Sequence, residues 1–113
     1  MQTIADKIQR RRLQILVHSC IYYEMDKNLI SDKQWDIWAR ELVQLQHDYP
    51  EESKKVVWYE AFKDWDASTG AFLPLKDEWV VRKAKYLLKL NFKKSEKINK
   101  PAVDKKTGKM KLF

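Results

Sequence analysis

The sequence contains one cysteine, two glycines, three prolines and two histidines among its 113 residues. The single thiol of Cys20 excludes an internal disulfide, and with His18 and His47 as the histidines the chain lacks the ligands of a structural zinc site. His18 and Cys20 are two positions apart on a predicted helix and so point to different faces, which favours structural roles for both. No apolar run approaches the roughly 20 residues of a membrane span, and the N-terminus has no secretory leader. We therefore expect a soluble, cytoplasmic protein.

Aromatic and charged residues, by contrast, are plentiful. The chain is 44% hydrophobic with five tryptophans, which is typical of a folded protein, and its length supports one domain. The net charge of +7 is uneven: residues 1–75 carry ten Lys/Arg against twelve Asp/Glu, whereas residues 76–113 carry thirteen against four. The basic charge therefore belongs to the C-terminal third. It indicates either a solvated tail or contact with phosphates or an acidic protein surface.

Apolar periodicity predicts a mainly α fold built on a helix-turn-helix pair. The first helix begins at the N-cap Thr3 and runs to Tyr23, with the arginines at positions 10–12 at the edge of its apolar face. The second begins at Ser31, and Gln34 follows it at the spacing of a capping box. Its apolar stripe is predicted to face the first helix and consists of Trp35, Trp38, Leu42, Leu45 and Tyr49.

The rest of the chain predicts two further helices, over about residues 51–62 and 77–90. Turn-forming residues and aromatics alternate in 64–74, which favours an ordered, packed loop over a flexible linker. We place a helical domain at 1–90 and a basic C-terminal tail at 91–113. A turn signal within this tail is compatible with a short β-hairpin.

The junction between the first two helices has the composition of a binding pocket. Asp32 and Asp36 are four residues apart with Trp35 beside them, so both carboxylates and an indole can reach one site at the start of the second helix. Tyr22 and Tyr23, at the end of the first helix, can supply a ring face and a hydroxyl from the opposite side. The alternative is that Asp32 only complements the helix dipole and that the aromatic residues belong to the core.

A family resemblance covers about the first fifty residues. They resemble the N-terminal helical module of bacterial NAD-dependent DNA ligases, which recognises the nicotinamide mononucleotide (NMN) half of NAD. The resemblance combines a turn, a helix cap, a carboxylate pair and a Tyr-Pro-Glu ending at unchanged spacing. The matching strings are Tyr22-Tyr23-x-x-Asp26, Ile30-Ser31-Asp32-x-x-Trp35-Asp36, Arg40-Glu41-Leu42-x-x-Leu45 and Tyr49-Pro50-Glu51.

The resemblance implies which residues contact the ligand. Tyr22, Asp32 and Asp36 keep the residue types of the ligases at their ligand-contacting positions. Tyr23 stands where those ligases have a histidine, and Trp35 stands where they have a tyrosine. Both replacements preserve an aromatic ring but alter the polar contact. The implied ligand is NMN or NAD, with no cofactor required.

The catalytic parts of a ligase are missing from this sequence. It has no Lys-x-Asp-Gly nucleophile motif and no four-cysteine zinc module, so we expect no ligation and no enzymatic activity. Beyond the first module, the chain is similar to small ligase-like proteins carried by phages and mobile elements of low-GC Gram-positive bacteria. This weaker resemblance rests on Tyr59-Glu60-Ala61-Phe62-x-Asp64-Trp65-Asp66-x-Ser68-Thr69-Gly70-x-x-Leu73-Pro74, Trp79-Val80-Val81 and Lys83-Ala84.

Three functional hypotheses follow. The first is a non-catalytic phage or mobile-element protein with a pocket for a nicotinamide-type nucleotide. The second is an inhibitor of a host defence protein, similar in role to anti-CRISPR proteins, which would have to contact an acidic surface or bound nucleic acid because the chain is basic. The third is nucleic-acid binding through the basic region. Contacts to a nucleic acid or a protein partner are assigned to Arg82, Lys83, Lys85, Lys89, Lys93, Lys94 and Lys97.

Overall fold

The computed structural model describes residues 2–97, and it describes side chains as far as Asn91. This part of the chain is mainly helical and contains no strand, which confirms the predicted fold class. The elements are α1 (Ile4–Met25), α2 (Asp32–Asp48), α3 (Pro50–Lys55), α4 (Tyr59–Phe62) and α5 (Glu78–Lys97). No helix in the described range is long and apolar enough to cross a membrane.

Helix α1 is the centre of the fold, because both α2 and α5 pack against it. Thr3 caps its start as predicted: the Thr3 hydroxyl accepts from the Asp6 amide over 3.1 Å, and the Asp6 carboxylate accepts from the Thr3 amide over 3.3 Å. From position 14 to position 21 every residue of α1 is buried. Its apolar side chains form the core together with Leu42 of α2 and with Val80 and Ala84 of α5.

The turn between α1 and α2 is set by local backbone chemistry. Asp26 ends α1 in the left-handed conformation, with φ 55°, which aspartate tolerates better than most residues. Ser31 caps α2 as predicted, because its hydroxyl accepts from the Gln34 amide over 3.0 Å. Six residues separate the two helices: the cap at Asp26 and residues 27–31. This fixed corner positions the residues of the candidate site.

Arg12 lies in the core, and the prediction that it sits at the edge of the apolar face was wrong. Its side chain is fully buried. The guanidinium donates to Gln46 Oε1, to the carbonyls of Val56 and Val57, and to both the carbonyl and the hydroxyl of Ser53, over 2.6–3.2 Å. All five N–H donors thus have acceptors. Burial lowers the pKa of Arg12 to about 10, so it remains charged at neutral pH.

The predicted third helix is two short helices. Val56 is extended, with φ −95° and ψ 144°, and Trp58 is left-handed, with φ 69°. Both conformations interrupt helical hydrogen bonding between α3 and α4. The carbonyls of Val56 and Val57 point to Arg12 instead. The sequence predicts a buried side of this helix made of Val56, Val57, Tyr59 and Phe62, but the Val57 side chain is exposed.

Helix α5 continues past Leu90, where the sequence predicted its end, as far as Lys97, the last described residue. The sequence predicts that Trp79, Val80, Ala84, Leu87 and Leu88 face inward; Val80, Ala84 and Leu87 are buried, and Trp79 and Leu88 are partly buried. The domain boundary at residue 90 stays a prediction. The hairpin proposed for the tail lies outside the described residues. Tyr49, the last member of the predicted α2 stripe, is exposed rather than packed on α1.

Candidate functional site

A cavity of about 360 Å³ opens where α1 ends and α2 begins. All five residues predicted as ligand contacts line it: Tyr22, Tyr23, Asp32, Trp35 and Asp36. Its remaining walls come from His18 and Ser19 of α1, the connecting turn at positions 28–31, and Ser68 and Thr69 of the loop before α5. The structure therefore brings together every residue of the predicted pocket around one hollow space.

Trp35 forms a fixed wall of this cavity. Its indole Nε1 donates to Ser19 Oγ over 3.1 Å, which ties α2 to α1. Its ring meets Trp65 edge-on, with 5.9 Å between centroids and an interplanar angle of 83°. The indole is partly buried and still lines the cavity. These two contacts fix the orientation of the indole ring, so that the ring lines the cavity and does not fill it.

The two carboxylates differ in their partners. Asp36 Oδ2 accepts from Arg40 Nε over 2.8 Å, one turn further along α2. The Asp36 side chain is 48% exposed despite this ion pair, and it still lines the cavity. Asp32 is exposed in the first turn of α2, where a negative charge is favoured by the helix dipole. Sequence reasoning missed Arg40 as a partner, although four-residue spacing is the ordinary signal for such a pair.

Tyr22 and Tyr23 present their rings at the opposite side. They meet edge to face, with 4.9 Å between centroids and an interplanar angle of 88°. Tyr22 is 52% exposed and Tyr23 is 45% exposed. The Tyr23 hydroxyl shares a hydrogen bond with Thr69 Oγ1 over 3.1 Å. Tyr22 thus offers a ring surface to the solvent side of the cavity, while Tyr23 links α1 to the loop.

The loop before α5 completes the cavity, which the sequence did not reveal. Trp65 Nε1 donates to the Thr69 carbonyl over 2.7 Å, and Asp66 Oδ1 accepts from the Ser68 amide over 2.9 Å. Hydrogen bonds from Ser68 also lower the pKa of Asp66. Gly70 is buried beside Ser19, and a Cβ there would come to 3.0 Å from Ser19 Cβ and 3.3 Å from Trp35 Cζ2, with Ser19 Oγ closer still. Only glycine allows this close approach.

His18 contributes to the cavity wall from α1. It is 4% exposed, and its ring centroid lies 5.8 Å from that of Trp38. Burial lowers the pKa of His18 to about 4, so the imidazole is neutral at physiological pH. Cys20 is buried on another face, and burial followed by the charge of Glu24 raises the pKa of its thiol. Within residues 2–97, no three His, Cys, Asp or Glu side chains lie close enough to hold a metal ion.

Four of the basic residues assigned to partner contact have described side chains, and these four do not line the cavity. Arg82, Lys85 and Lys89 are exposed on α5. Lys83 Nζ lies 5.8 Å from the ring centroid of Trp79 and 5.6 Å from that of Tyr86. The remaining three, Lys93, Lys94 and Lys97, belong to the same helix, but their side chains are outside the described part.

Comparison with known proteins agrees with the position of this site. Residues 1–55 match the family model of the DNA ligase-like, N-terminal NAD+-binding domain. A DNA ligase of Bacteroides fragilis is 41% identical over 49 residues, which is 43% of this chain and 7% of the ligase. No solved structure matches the chain. The matched segment contains α1, α2 and all five predicted contact residues. The cavity wall formed by Ser68 and Thr69 lies outside this segment. The resemblance predicted from the sequence is thereby confirmed: the first 55 residues are similar to the N-terminal domain of DNA ligases.

Proposed function

We propose that this protein binds a nicotinamide-type nucleotide in the cavity between α1 and α2, without catalysing a reaction. One observation carries the proposal. The five residues implied as ligand contacts are separated by up to fourteen positions, yet they line a single cavity. Apart from Ser68 and Thr69, the residues that line this cavity lie within the segment that matches an NAD+-binding domain.

The size of the cavity suits half of a dinucleotide. Its volume of about 360 Å³ is near the lower limit of small-molecule pockets, which span roughly 300–1,000 Å³. NMN is therefore the expected occupant, and NAD would bind through its NMN half. In this arrangement Tyr22 and Trp35 hold the pyridine ring, and Asp32 and Asp36 accept hydrogen bonds from the carboxamide and the ribose hydroxyls.

We propose binding without turnover because the site supplies contacts and not an activated nucleophile. The Ser19 hydroxyl already accepts from the Trp35 indole, and the Tyr23 hydroxyl is paired with Thr69. The imidazole of His18 has a pKa lowered by burial to about 4, which makes it a weak base at neutral pH. The nucleotide is thus a ligand rather than a required cofactor.

Isothermal titration calorimetry with NMN and with NAD tests this function. We expect dissociation constants between about 1 μM and 1 mM. Tyr22→Ala should weaken binding about three- to tenfold, which is the range expected for losing one aromatic contact. Tyr49→Ala is the matched control, since Tyr49 is 42% exposed and does not line the cavity. No heat of binding with either ligand at millimolar concentration contradicts the proposal.

A second candidate function is supported by the exposed face of α5. Arg82, Lys85, Tyr86 and Lys89 are exposed on this face. Trp79 and Lys83 lie along its edge and are partly buried, and Trp79 packs against the core. Lys83 lies between two aromatic rings, and Tyr86 is 53% exposed. Alternating cations and aromatic rings can hold the phosphates and stack the bases of a single strand. We propose that the exposed face of α5 binds single-stranded nucleic acid.

Fluorescence anisotropy with a labelled oligonucleotide tests this second function. Tyr86→Ala and Lys89→Gln should each weaken binding, and Lys89→Gln should also reduce its salt dependence because a phosphate contact is lost. Lys55→Gln, an exposed lysine of α3, is the control. Equal affinity for all variants contradicts the assignment to α5. The inhibitor hypothesis, the phage or mobile-element origin and the cytoplasmic location stay predictions from the sequence.

A further inference from the structure

We infer that the cavity recognises the oxidised pyridinium cation and does not require the phosphate of the nucleotide. This inference rests on the proposed function and names the ligand class more closely. A phosphate-free pyridinium nucleoside, such as nicotinamide riboside, is then a sufficient ligand. The reduced dihydropyridine form, which has no charge on the ring, is discriminated against.

The charges around the cavity are of one sign. Among its described lining residues, Asp32 and Asp36 are the formally charged side chains, and neither lysine nor arginine is present. His18 is neutral at physiological pH because burial lowers its pKa to about 4. Arg40 offsets part of the Asp36 charge from outside the lining, so the net negative charge of the lining comes chiefly from Asp32, although the chain as a whole is basic. A ligand with a positive centre is favoured in such a site, and a dianionic phosphate is not.

Aromatic rings around the same space favour the same ligand. Tyr22, Tyr23 and Trp35 line the cavity, and the ring face of a tyrosine or tryptophan attracts a cation by its electron density. A pyridinium ring can stack and carry the positive charge at once. Reduction to the dihydropyridine removes that charge and makes the ring non-planar. Both the Coulomb attraction and the ring contact then weaken.

Several groups near the cavity that could contact a phosphate are already engaged within the protein. Arg40, the cation paired with Asp36, donates to it over 2.8 Å, and neither Arg40 nor Lys33 of α2 is a lining residue. The hydroxyls of Tyr23 and Thr69 are paired with each other over 3.1 Å. Ser31 accepts from the Gln34 amide as the cap of α2, over 3.0 Å. A phosphate placed inside would meet Asp32 or Asp36, and no cation among the described lining residues would offset the repulsion.

Calorimetry on the full chain with nicotinamide riboside, NMN and dihydronicotinamide riboside tests the inference. Nicotinamide riboside should bind within about threefold of NMN, and the dihydro form should bind at least about tenfold more weakly than the oxidised riboside. Asp36→Asn should reduce that preference for the oxidised form. Asp48→Asn is a matched control on the same helix, since the two side chains are 48% and 47% exposed, and it should leave the preference unchanged.

The outcomes separate this inference from the function on which it rests. NMN binding more than tenfold tighter than the riboside would show that phosphate is recognised; this overturns the inference and leaves nicotinamide binding intact. Equal affinity for the oxidised and reduced ribosides overturns it as well, as does an equal loss of preference in Asp36→Asn and Asp48→Asn. Failure of all three ligands to bind removes the proposed function, and the inference with it.

Discussion

Trp35 and Ser19 join the two helices of the site by one hydrogen bond, from the indole Nε1 to the serine Oγ over 3.1 Å. The same serine lies against Gly70 of the loop before α5. One small side chain of α1 therefore determines the position of both the indole wall and the loop wall of the cavity. Its size matters as much as its hydroxyl, because a larger residue would push the loop away.

Gly70→Ala should destabilise the protein by about 1–3 kcal/mol, the usual cost of overpacking. The added methyl would lie 3.0 Å from Ser19 Cβ and 3.3 Å from Trp35 Cζ2, so the loop or the indole must shift. Urea denaturation measures the loss. In a Ser19→Ala background the cost should be smaller, since the atom closest to the new methyl is gone. Equal costs in the two backgrounds contradict this packing.

Arg12→Met should destabilise by about 3 kcal/mol or more, because several buried acceptors lose their donor. The carbonyls of Ser53, Val56 and Val57 would be left without the guanidinium. Arg12→Lys should not restore stability, since an ammonium has three donors for five acceptors and lacks the planar fork. The exposed Arg10→Met is the control. A cost below about 1 kcal/mol for Arg12→Met in urea denaturation would contradict a structural role.

Stability should fall as pH is lowered from about 6.5 to about 4, because of His18. The pKa of His18 is about 4 in the folded protein, against the ordinary histidine value of 6.5, which applies to the unfolded chain. In that window the unfolded chain binds the proton and the folded chain does not, so stability rises with pH across it. The full effect is about 3 kcal/mol.

Urea denaturation at pH 4.5 and pH 7 measures this dependence. His18→Leu should flatten it, whereas His47→Leu should not, because the His47 side chain is 82% exposed. Carboxylates also titrate in this pH range, but they contribute equally to the pH dependence of both variants. Their contribution therefore cancels when the two variants are compared. An unchanged slope in His18→Leu contradicts the assignment.

Asp26→Gly should stabilise the protein by about 0.5–1 kcal/mol, because glycine adopts the left-handed conformation without a Cβ penalty. Asp26 has φ 55° at the C-cap of α1 and is exposed, so no packing is lost. Lys27→Gly, at an exposed neighbour without positive φ, should not stabilise. Thermal denaturation of the two variants measures the difference. If Asp26→Gly melts at a lower temperature than the natural chain, the predicted stabilisation is contradicted.

Several features set by residues close in sequence were predicted correctly, although the pair of Asp36 with Arg40 was missed. The caps at Thr3 and Ser31 depend on partners three positions away, and both are present. The same holds for the carboxylate pair of α2, because helical spacing places Asp32 and Asp36 on one face. The buried side of α5 followed from periodicity for the same reason.

Features set by distant partners were not predicted. Arg12 is buried because acceptors 34 to 45 positions away converge on it, and a charge pattern carries no sign of them. Thr69 reaches Tyr23 across 46 positions, so its place in the cavity depends on the loop conformation. The break between α3 and α4 likewise depends on Arg12, because the carbonyls of Val56 and Val57 accept from its guanidinium and not from helical amides.

Nuclear magnetic resonance of the five tryptophan indoles tests the pocket most directly. Each indole N–H of the chain gives its own signal, and Trp35→Phe identifies that of Trp35. On addition of nicotinamide riboside or NMN, the Trp35 signal should shift progressively and saturate, since this indole lines the cavity. The signals of Trp58 and Trp79 should stay in place because neither lines it. If the Trp35 signal is unmoved at millimolar ligand, or if only Trp79 responds, the cavity is not the nicotinamide site.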